Sequence, residues 1–333
     1  EMIGFFQLNS AQVIQDAKLY LMITCGLVIF SFMNQIFTGI LTAMGNSRTS
    51  FIATGIGLVL NIVLDPLFIF GFGVIHPMGV AGAAIATVLA QLVVMLLFLY
   101  TILRDTVLFC DVHILHSYSS QHTREIFRIG LPSAVQSMLF SGISMVIARL
   151  IAGWGDAAVA VQKVGSQIES ISWMTAEGYA AALNSFVAQN HGAKNTDRIR
   201  EGYRLSMIVM LSWGVFCSFV LIVFPQLIFQ VFIQEAEVLP MGVDYLRILG
   251  VSQLFMCMEI TTAGAFSGLG KTLPPSIVSI TLTGARIPMA ILLGRWLGLN
   301  GVWWAITISS IGKGIVLLGW FLKDMKRAGM PER

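Results

Sequence analysis

The sequence predicts an all-α polytopic membrane protein built as a two-lobe helical bundle. Hydrophobic residues make up 56% of the 333 residues, charged residues only 11%, and the mean hydropathy is +0.82. A soluble domain carries roughly 25% charged residues, so lipid must solvate much of this surface. Apolar segments long enough to cross a bilayer, and an internal repeat among them, complete the evidence for this fold class.

Nine segments reach the length of about 20 residues that a membrane-spanning helix needs. They lie near residues 20–44, 50–71, 79–103, 126–151, 159–189, 202–224, 244–267, 274–294 and 300–322. Lys and Arg concentrate in alternate connecting loops, such as 194–204, and after the last segment at 323–327. The positive-inside rule therefore predicts a cytoplasmic C-terminus, and nine spans place the N-terminus outside.

An internal repeat relates the first three predicted spans to the last three. Tyr20 and Tyr245 open similar units 225 positions apart, and the same offset carries Gly45 onto Gly270. The starts of the two copies are six spans apart, an even number, so both copies have the same orientation in the membrane. The repeat predicts two parallel halves, of which the first is three spans shorter than the second.

This organisation predicts four regions. They are the remainder of an N-terminal lobe (1–105), a cytoplasmic inter-lobe loop (106–123), a C-terminal lobe (124–325) and a cytoplasmic tail (326–333). We expect the first half to start about 100 residues before Glu1, with room for three further spans, because the second half begins near Arg124 and the repeat offset is 225.

Several function classes are disfavoured. The four cysteines show no metal-binding spacing, and the five histidines all fall outside the predicted spans. The chain has no P-loop, nucleophile elbow or dinucleotide fingerprint, which argues against an enzyme and predicts no cofactor. The net charge of +3 is small, so no nucleic-acid partner is expected.

The stretch NIVLDPLFIF places Asp65 four residues after Asn61, within an apolar segment. On a helix the two side chains stack on one face, and their oxygens suit a hard cation or a proton. Pro66 can leave the carbonyl of residue 62 without its helical partner. The alternative is a single Asp near the end of a span, bonded to a neighbouring hydroxyl.

Four further site candidates are charged residues within the later spans. Glu259 and Arg286 occupy adjacent predicted helices, where they form either a structural ion pair or a second titrating carboxylate with its neighbour. Glu169 and Glu177 lie eight residues apart in the fifth span, and either line a cavity or are structural. Polar, aromatic and Met residues that are candidates for a substrate cavity, or alternatively core filler, are Gln136, Phe140, Trp173, Tyr179 and Met256.

Four stretches in order resemble the MATE (multidrug and toxic compound extrusion) family. They are LNIVLDPLFIF (60–70), GVAGAAIAT (79–87), FRIGLPSAVQS (127–137) and FVAQNHGAKNTDRIREGYR (186–204). The resemblance covers essentially the whole chain. It implies a twelve-helix, two-lobe fold, of which helices four to twelve are present.

The resemblance also implies a site. In the DinF-like branch an Asn and an Asp four apart on helix five help to bind the coupling cation, and Asn61 and Asp65 match that pair. Thr87 corresponds to a helix-six Thr that contributes in some members. The NorM-like branch has a Glu eight residues after the helix-seven proline, where this chain has Phe140, so the resemblance is DinF-like.

The family implies a monomeric secondary antiporter of the bacterial inner membrane. It would export small amphiphilic or cationic compounds in exchange for H⁺ or Na⁺ by alternating access, with membrane lipid as its surroundings. A lipid-linked saccharide flippase with the same two-lobe build is the first alternative. A membrane scaffold subunit without transport is the second.

Overall fold

The part of the chain described by the computed structural model is residues 11–71, 76–104, 120–233, 235 and 237–327. These residues form thirteen α-helices, and the order of elements confirms the predicted all-α class. The helices are α1 (Ala11–Gly26), α2 (Ile29–Ala43), α3 (Ser47–Phe70), α4 (Val80–Arg104), α5 (Ser120–Ala152), α6 (Asp156–Gly192), α7 (Thr196–Val223), α8 (Pro225–Gln230), α9 (Leu239–Gly250), α10 (Gln253–Gly268), α11 (Leu273–Gly284), α12 (Arg286–Leu297) and α13 (Leu299–Arg327).

The helices group into two compact units, α1–α4 and α5–α13. The first unit contains α1–α4 around a small core that includes Leu41 and Phe98. The second contains α5–α13 around larger cores, one of which includes Tyr245 and Trp303. Each unit therefore holds its own helices together through apolar contacts between neighbours.

The predicted count of nine spans is higher than the structure supports. Among the described residues, six helices are long and apolar enough to cross a membrane, or eight if each of two bent pairs forms one span. The predicted span that has no counterpart among these helices is 159–189. It forms the 37-residue helix α6, whose first half carries polar residues such as Lys163, Gln167 and Glu169. Helix α6 is long enough to span a membrane, but it is less apolar than the six helices counted above.

The two bent helix pairs agree with the internal repeat. Helices α1 and α2 meet at 48°, and α9 and α10, in the equivalent copy, meet at 46°. The turns that follow these pairs also match, because Gly45 and Gly270 both adopt a positive φ, of 81° and 70°. A positive φ favours glycine, which explains why this residue recurs at the repeat offset.

Helices α3 and α4 approach closely through glycine. A Cβ atom on Gly82 would overlap the backbone of Phe68, and one on Gly57 would overlap the side chain of Val94. The missing side chains let the two helices pack along their length and thereby hold α3, which carries Asn61 and Asp65, against α4.

We expect Gly82→Ala to destabilise the N-terminal unit by about 1–3 kcal/mol, because the added methyl group meets backbone that cannot rotate away. Gly55→Ala is the matched control, since no described atom lies within 4 Å of a Cβ at that position. It should be neutral or slightly stabilising, because alanine favours helix. Thermal unfolding of the purified proteins measures both, and equal effects would show that this contact does not hold the helices together.

Candidate functional site

Asn61 and Asp65 lie on successive turns of α3, as the spacing predicts. The Asn61 Nδ2 atom donates a hydrogen bond to Asp65 Oδ1 at 3.3 Å, and both side chains are partly buried. The helix runs without interruption through Pro66 to Phe70. The amide thus orients one carboxylate oxygen, while the second oxygen of Asp65 and the Asn61 carbonyl are available to a ligand.

The pair shares a stripe of α3 with two residues that contact α4. Gly57, one turn before Asn61, contacts Val94, and Phe68, near the end of the helix, contacts Gly82. Asn61 and Asp65 fall between these two contacts along the same stripe of the helix. A carboxylate here lies beside a neighbouring helix, where lipid does not surround it completely.

Thr87 is not joined to this pair. Its hydroxyl donates to the carbonyl of Ala83 at 3.0 Å, one turn earlier in α4. Among the described residues no hydrogen bond connects Thr87 with Asn61 or Asp65. The residue does lie on the helix that packs against α3, so its predicted part in the cation site stays a prediction.

Two amide side chains of the same unit were not indicated by the sequence. Asn34 of α2 donates through Nδ2 to the Oε1 atom and to the carbonyl of Gln91 in α4, both at 2.9 Å. Asn34 Oδ1 is buried and has no hydrogen-bond partner among the described residues. Both residues are uncharged, so they do not stand out in the sequence as ionisable residues within an apolar span do.

The direct ion pair of Glu259 and Arg286, one of the two predicted alternatives, is not formed in the described part of the chain. Glu259 Oε1 instead lies 2.9 Å from the Lys313 Nζ atom, with side chains only 14% and 8% exposed. Arg286 donates to the hydroxyls of Ser309 and Ser310 at 3.1 Å each. Helix α10 packs extensively against α13, which brings Lys313 to Glu259, whereas Arg286 begins α12 and faces the serines of α13.

Glu169 and Glu177 have different surroundings. Glu169 accepts hydrogen bonds from the Tyr245 hydroxyl at 3.0 Å and from Gln253 Nε2 at 2.7 Å. Glu177, two turns further along α6, is exposed on the described chain. The eight-residue spacing rotates the second side chain by about 80° on an ideal helix, enough to separate them.

The five candidates for a substrate cavity are spread over the second unit. Phe140 is 46% exposed, and its ring lies 6.0 Å from the Arg286 guanidinium carbon. Tyr179 packs against a core cluster around Cys257. Gln136, Trp173 and Met256 are partly buried. None of the five lines either of the two cavities described in this unit.

The oxygens of Asn61 and Asp65 fit a hard cation only in part. Together the two side chains offer at most three oxygens, whereas hard cations take about six. Within the described part of the chain, no cluster of three or more His, Cys, Asp or Glu residues could hold a metal ion. A bound Na⁺ at this pair would need further oxygens, whereas a proton would not.

Comparison with known proteins gives consistent results. The family model described as MatE matches residues 1–67 and 132–292. The probable multidrug resistance protein NorM of Thermotoga maritima is 32% identical over 338 residues, covering 98% of this chain and 71% of that protein. The probable multidrug resistance protein YpnP of Bacillus subtilis is 27% identical over 294 residues, covering 88% of this chain and 65% of that protein.

A solved structure shares the fold. A crystal structure of MATE in the bent conformation matches with a TM-score of 0.87 at 24% identity, covering 98% of this chain and 72% of that chain. The helices and these relatives define a multi-pass membrane protein of a transporter class. The chain belongs to the MATE family. Its DinF-like character stays a prediction, since one of these relatives carries the name NorM.

Proposed function

We propose that the protein is a secondary active antiporter that exports amphiphilic or cationic compounds in exchange for H⁺ or Na⁺. The observation that carries the proposal is the hydrogen bond between Asn61 and Asp65 in α3. It presents a carboxylate on a membrane-level helix with an amide beside it, and such a group binds a proton or a small cation. The names of the relatives, probable multidrug resistance proteins, support the substrate class.

Asp65 is the coupling site in this proposal. In its ionised form the carboxylate attracts a cation and accepts the Asn61 amide hydrogen bond. When a proton or Na⁺ neutralises it, the cost of keeping a charge between α3 and α4 disappears. The two states therefore favour different helix arrangements, and a ligand with unequal affinity for them shifts the balance between them.

The remaining parts of the proposal follow from the sequence. The protein would be a monomer in the bacterial inner membrane with its C-terminus in the cytoplasm, as the loop charges predict. It would need no cofactor and catalyse no chemical reaction. Its ligands would be small amphiphilic or cationic molecules, and lipid would surround it.

The flippase alternative needs cations that are free to bind a pyrophosphate group. In the second unit the Lys313 ammonium is already bonded to Glu259, and the Arg286 guanidinium to two serine hydroxyls. Both cations are also less than a tenth exposed. These contacts favour a structural role for the two cations over binding of an anionic substrate.

A vesicle assay tests the proposed function. We expect a pH gradient or a Na⁺ gradient, imposed separately, to drive accumulation of a fluorescent organic cation in vesicles that contain the purified protein. One of the two gradients should suffice, because a single coupling ion occupies the site. Accumulation under neither gradient, in protein that remains folded, would contradict antiport and favour the scaffold alternative.

A further inference from the structure

Glu169 contacts both sides of a break between two helices. Helix α9 ends at Gly250 and α10 begins at Gln253, and the two meet at 46°. The Tyr245 hydroxyl, on α9, donates to Glu169 Oε2 at 3.0 Å. Gln253 Nε2, at the first position of α10, donates to Glu169 Oε1 at 2.7 Å. One carboxylate on α6 therefore holds both arms of the bent pair.

The surroundings keep these donors in place. A Cβ atom on Gly165, one turn before Glu169, would overlap the Tyr245 ring, so this glycine leaves the space that the ring fills. The ring also meets Trp303 edge-on, with centroids 5.1 Å apart. Tyr245 and Gln253 are both fully buried. Neither donor can exchange the carboxylate for water without disturbing the core.

The same group of atoms contains one acceptor that lacks a donor. Gln253 Oε1 is buried and has no hydrogen-bond partner among the described residues. Its Nε2 atom donates twice, to Glu169 and, at 3.3 Å, to the carbonyl of Leu249 at the end of α9. Buried acceptors are normally satisfied, so an unpaired one beside a carboxylate points to a second hydrogen-bonding arrangement.

We propose that Glu169 is a proton-binding site whose occupancy controls the hydrogen bonds across the break between α9 and α10. Ionised Glu169 accepts from both donors, as observed. A proton that joins the carboxylate converts one of its oxygens into a donor. The Gln253 amide then rotates so that Oε1 accepts a hydrogen bond from the new Glu169 hydroxyl, and Nε2 releases the Leu249 carbonyl. The proton comes from hydronium in the solution, whose O–H bond breaks as the O–H bond on Glu169 forms, and no other covalent bond changes.

The other charges near Glu169 are consistent with this exchange. Tyr245 of α9 is the titratable group in direct contact, and the Arg286 guanidinium of α12 attracts both Glu169 and Glu259. Glu259 of α10 and Lys313 of α13 neutralise one another. Arg286 therefore keeps one carboxylate neighbour when Glu169 is protonated. The proposed site needs no residue of the first unit, so it goes beyond the coupling site at Asp65.

Infrared spectroscopy tests proton binding directly. We expect acid-minus-neutral difference spectra of the full chain to include one protonated carboxyl band that is absent from Glu169→Gln, while the bands of the other carboxyl groups, Asp65 included, remain. Glu177→Gln is the matched control, because it removes an exposed carboxylate from the same helix and should keep the band. A Glu169→Gln spectrum that keeps every carboxyl band of the unsubstituted protein, or loss of the Glu169 band only in Glu177→Gln, would overturn the proposal.

Hydrogen exchange tests the effect on the break. Once corrected for the intrinsic pH dependence of exchange, protection of the segment 249–256 should fall about fivefold on acidification, since a charge-assisted hydrogen bond is replaced by a neutral one. Tyr245→Phe keeps the ring on Trp303 but removes one donor, and should show the lower protection already at neutral pH. Tyr245→Phe also tests the proposal if Glu169→Gln does not fold. Protection that does not change with pH, or is unaltered in Tyr245→Phe, would contradict the proposed role.

Discussion

Asp65→Asn should reduce gradient-driven efflux to the level of membranes without the protein, while expression and folding stay normal. Asparagine keeps the size of the side chain and can still bond with Asn61, so the local helix geometry is preserved. It cannot carry a negative charge or gain a proton, so binding and release of a coupling cation are lost. Efflux of a fluorescent cation from cells that express the variant measures the effect.

Glu177→Gln is the control for this experiment. It removes the same charge from an exposed position of α6. We expect its efflux to match the unsubstituted protein. Normal efflux in Asp65→Asn, or an equal loss in both variants, would show that the charge at Asp65 has no special role.

The second large effect is expected for stability. Lys313→Met should destabilise the second unit by about 3 kcal/mol, because it leaves the Glu259 carboxylate buried without its ammonium partner. This loss of stability is at the lower end of the range for removing one partner of a buried ion pair, because Arg286 still attracts Glu259. Unfolding of the purified protein in detergent, followed by temperature or denaturant, measures this cost.

The double variant Glu259→Leu/Lys313→Met separates the ion pair from general packing. Replacing both partners with apolar side chains removes the buried charges together, so its stability should recover most of the loss. Such a recovery would show that the two residues stabilise the protein as a pair. Glu259→Gln alone should then leave the Lys313 ammonium, and not the Arg286 guanidinium, buried without its direct partner. Losses that simply add in the double variant would contradict the pairing.

The sequence predicted the local part of the candidate site well. Asn61 and Asp65 are four residues apart on one helix, and helical periodicity alone brings their side chains together. The bends in α1–α2 and α9–α10 agree with a repeat that was visible as matching residues at a fixed offset. Such features depend on neighbours along the chain, which the sequence displays directly.

Contacts between distant segments could not be predicted in the same way. Glu169 finds its two hydrogen-bond donors 76 and 84 positions away. Glu259 selects Lys313 over Arg286, although both cations lie in later spans at similar depth, because α13 packs against α10. Charge and order along the chain allow either partner, and only the packing of the helices decides between them.

Release of the coupling ion on substrate binding tests the central proposal most directly. Purified protein in weakly buffered solution, followed with a pH-sensitive dye and in parallel with a Na⁺-sensitive dye, should release one of the two ions when an organic cation is added. Asp65→Asn should release neither, and Glu177→Gln should behave like the unsubstituted protein. Equal ion release from Asp65→Asn and the unsubstituted protein would contradict a coupling site at Asp65.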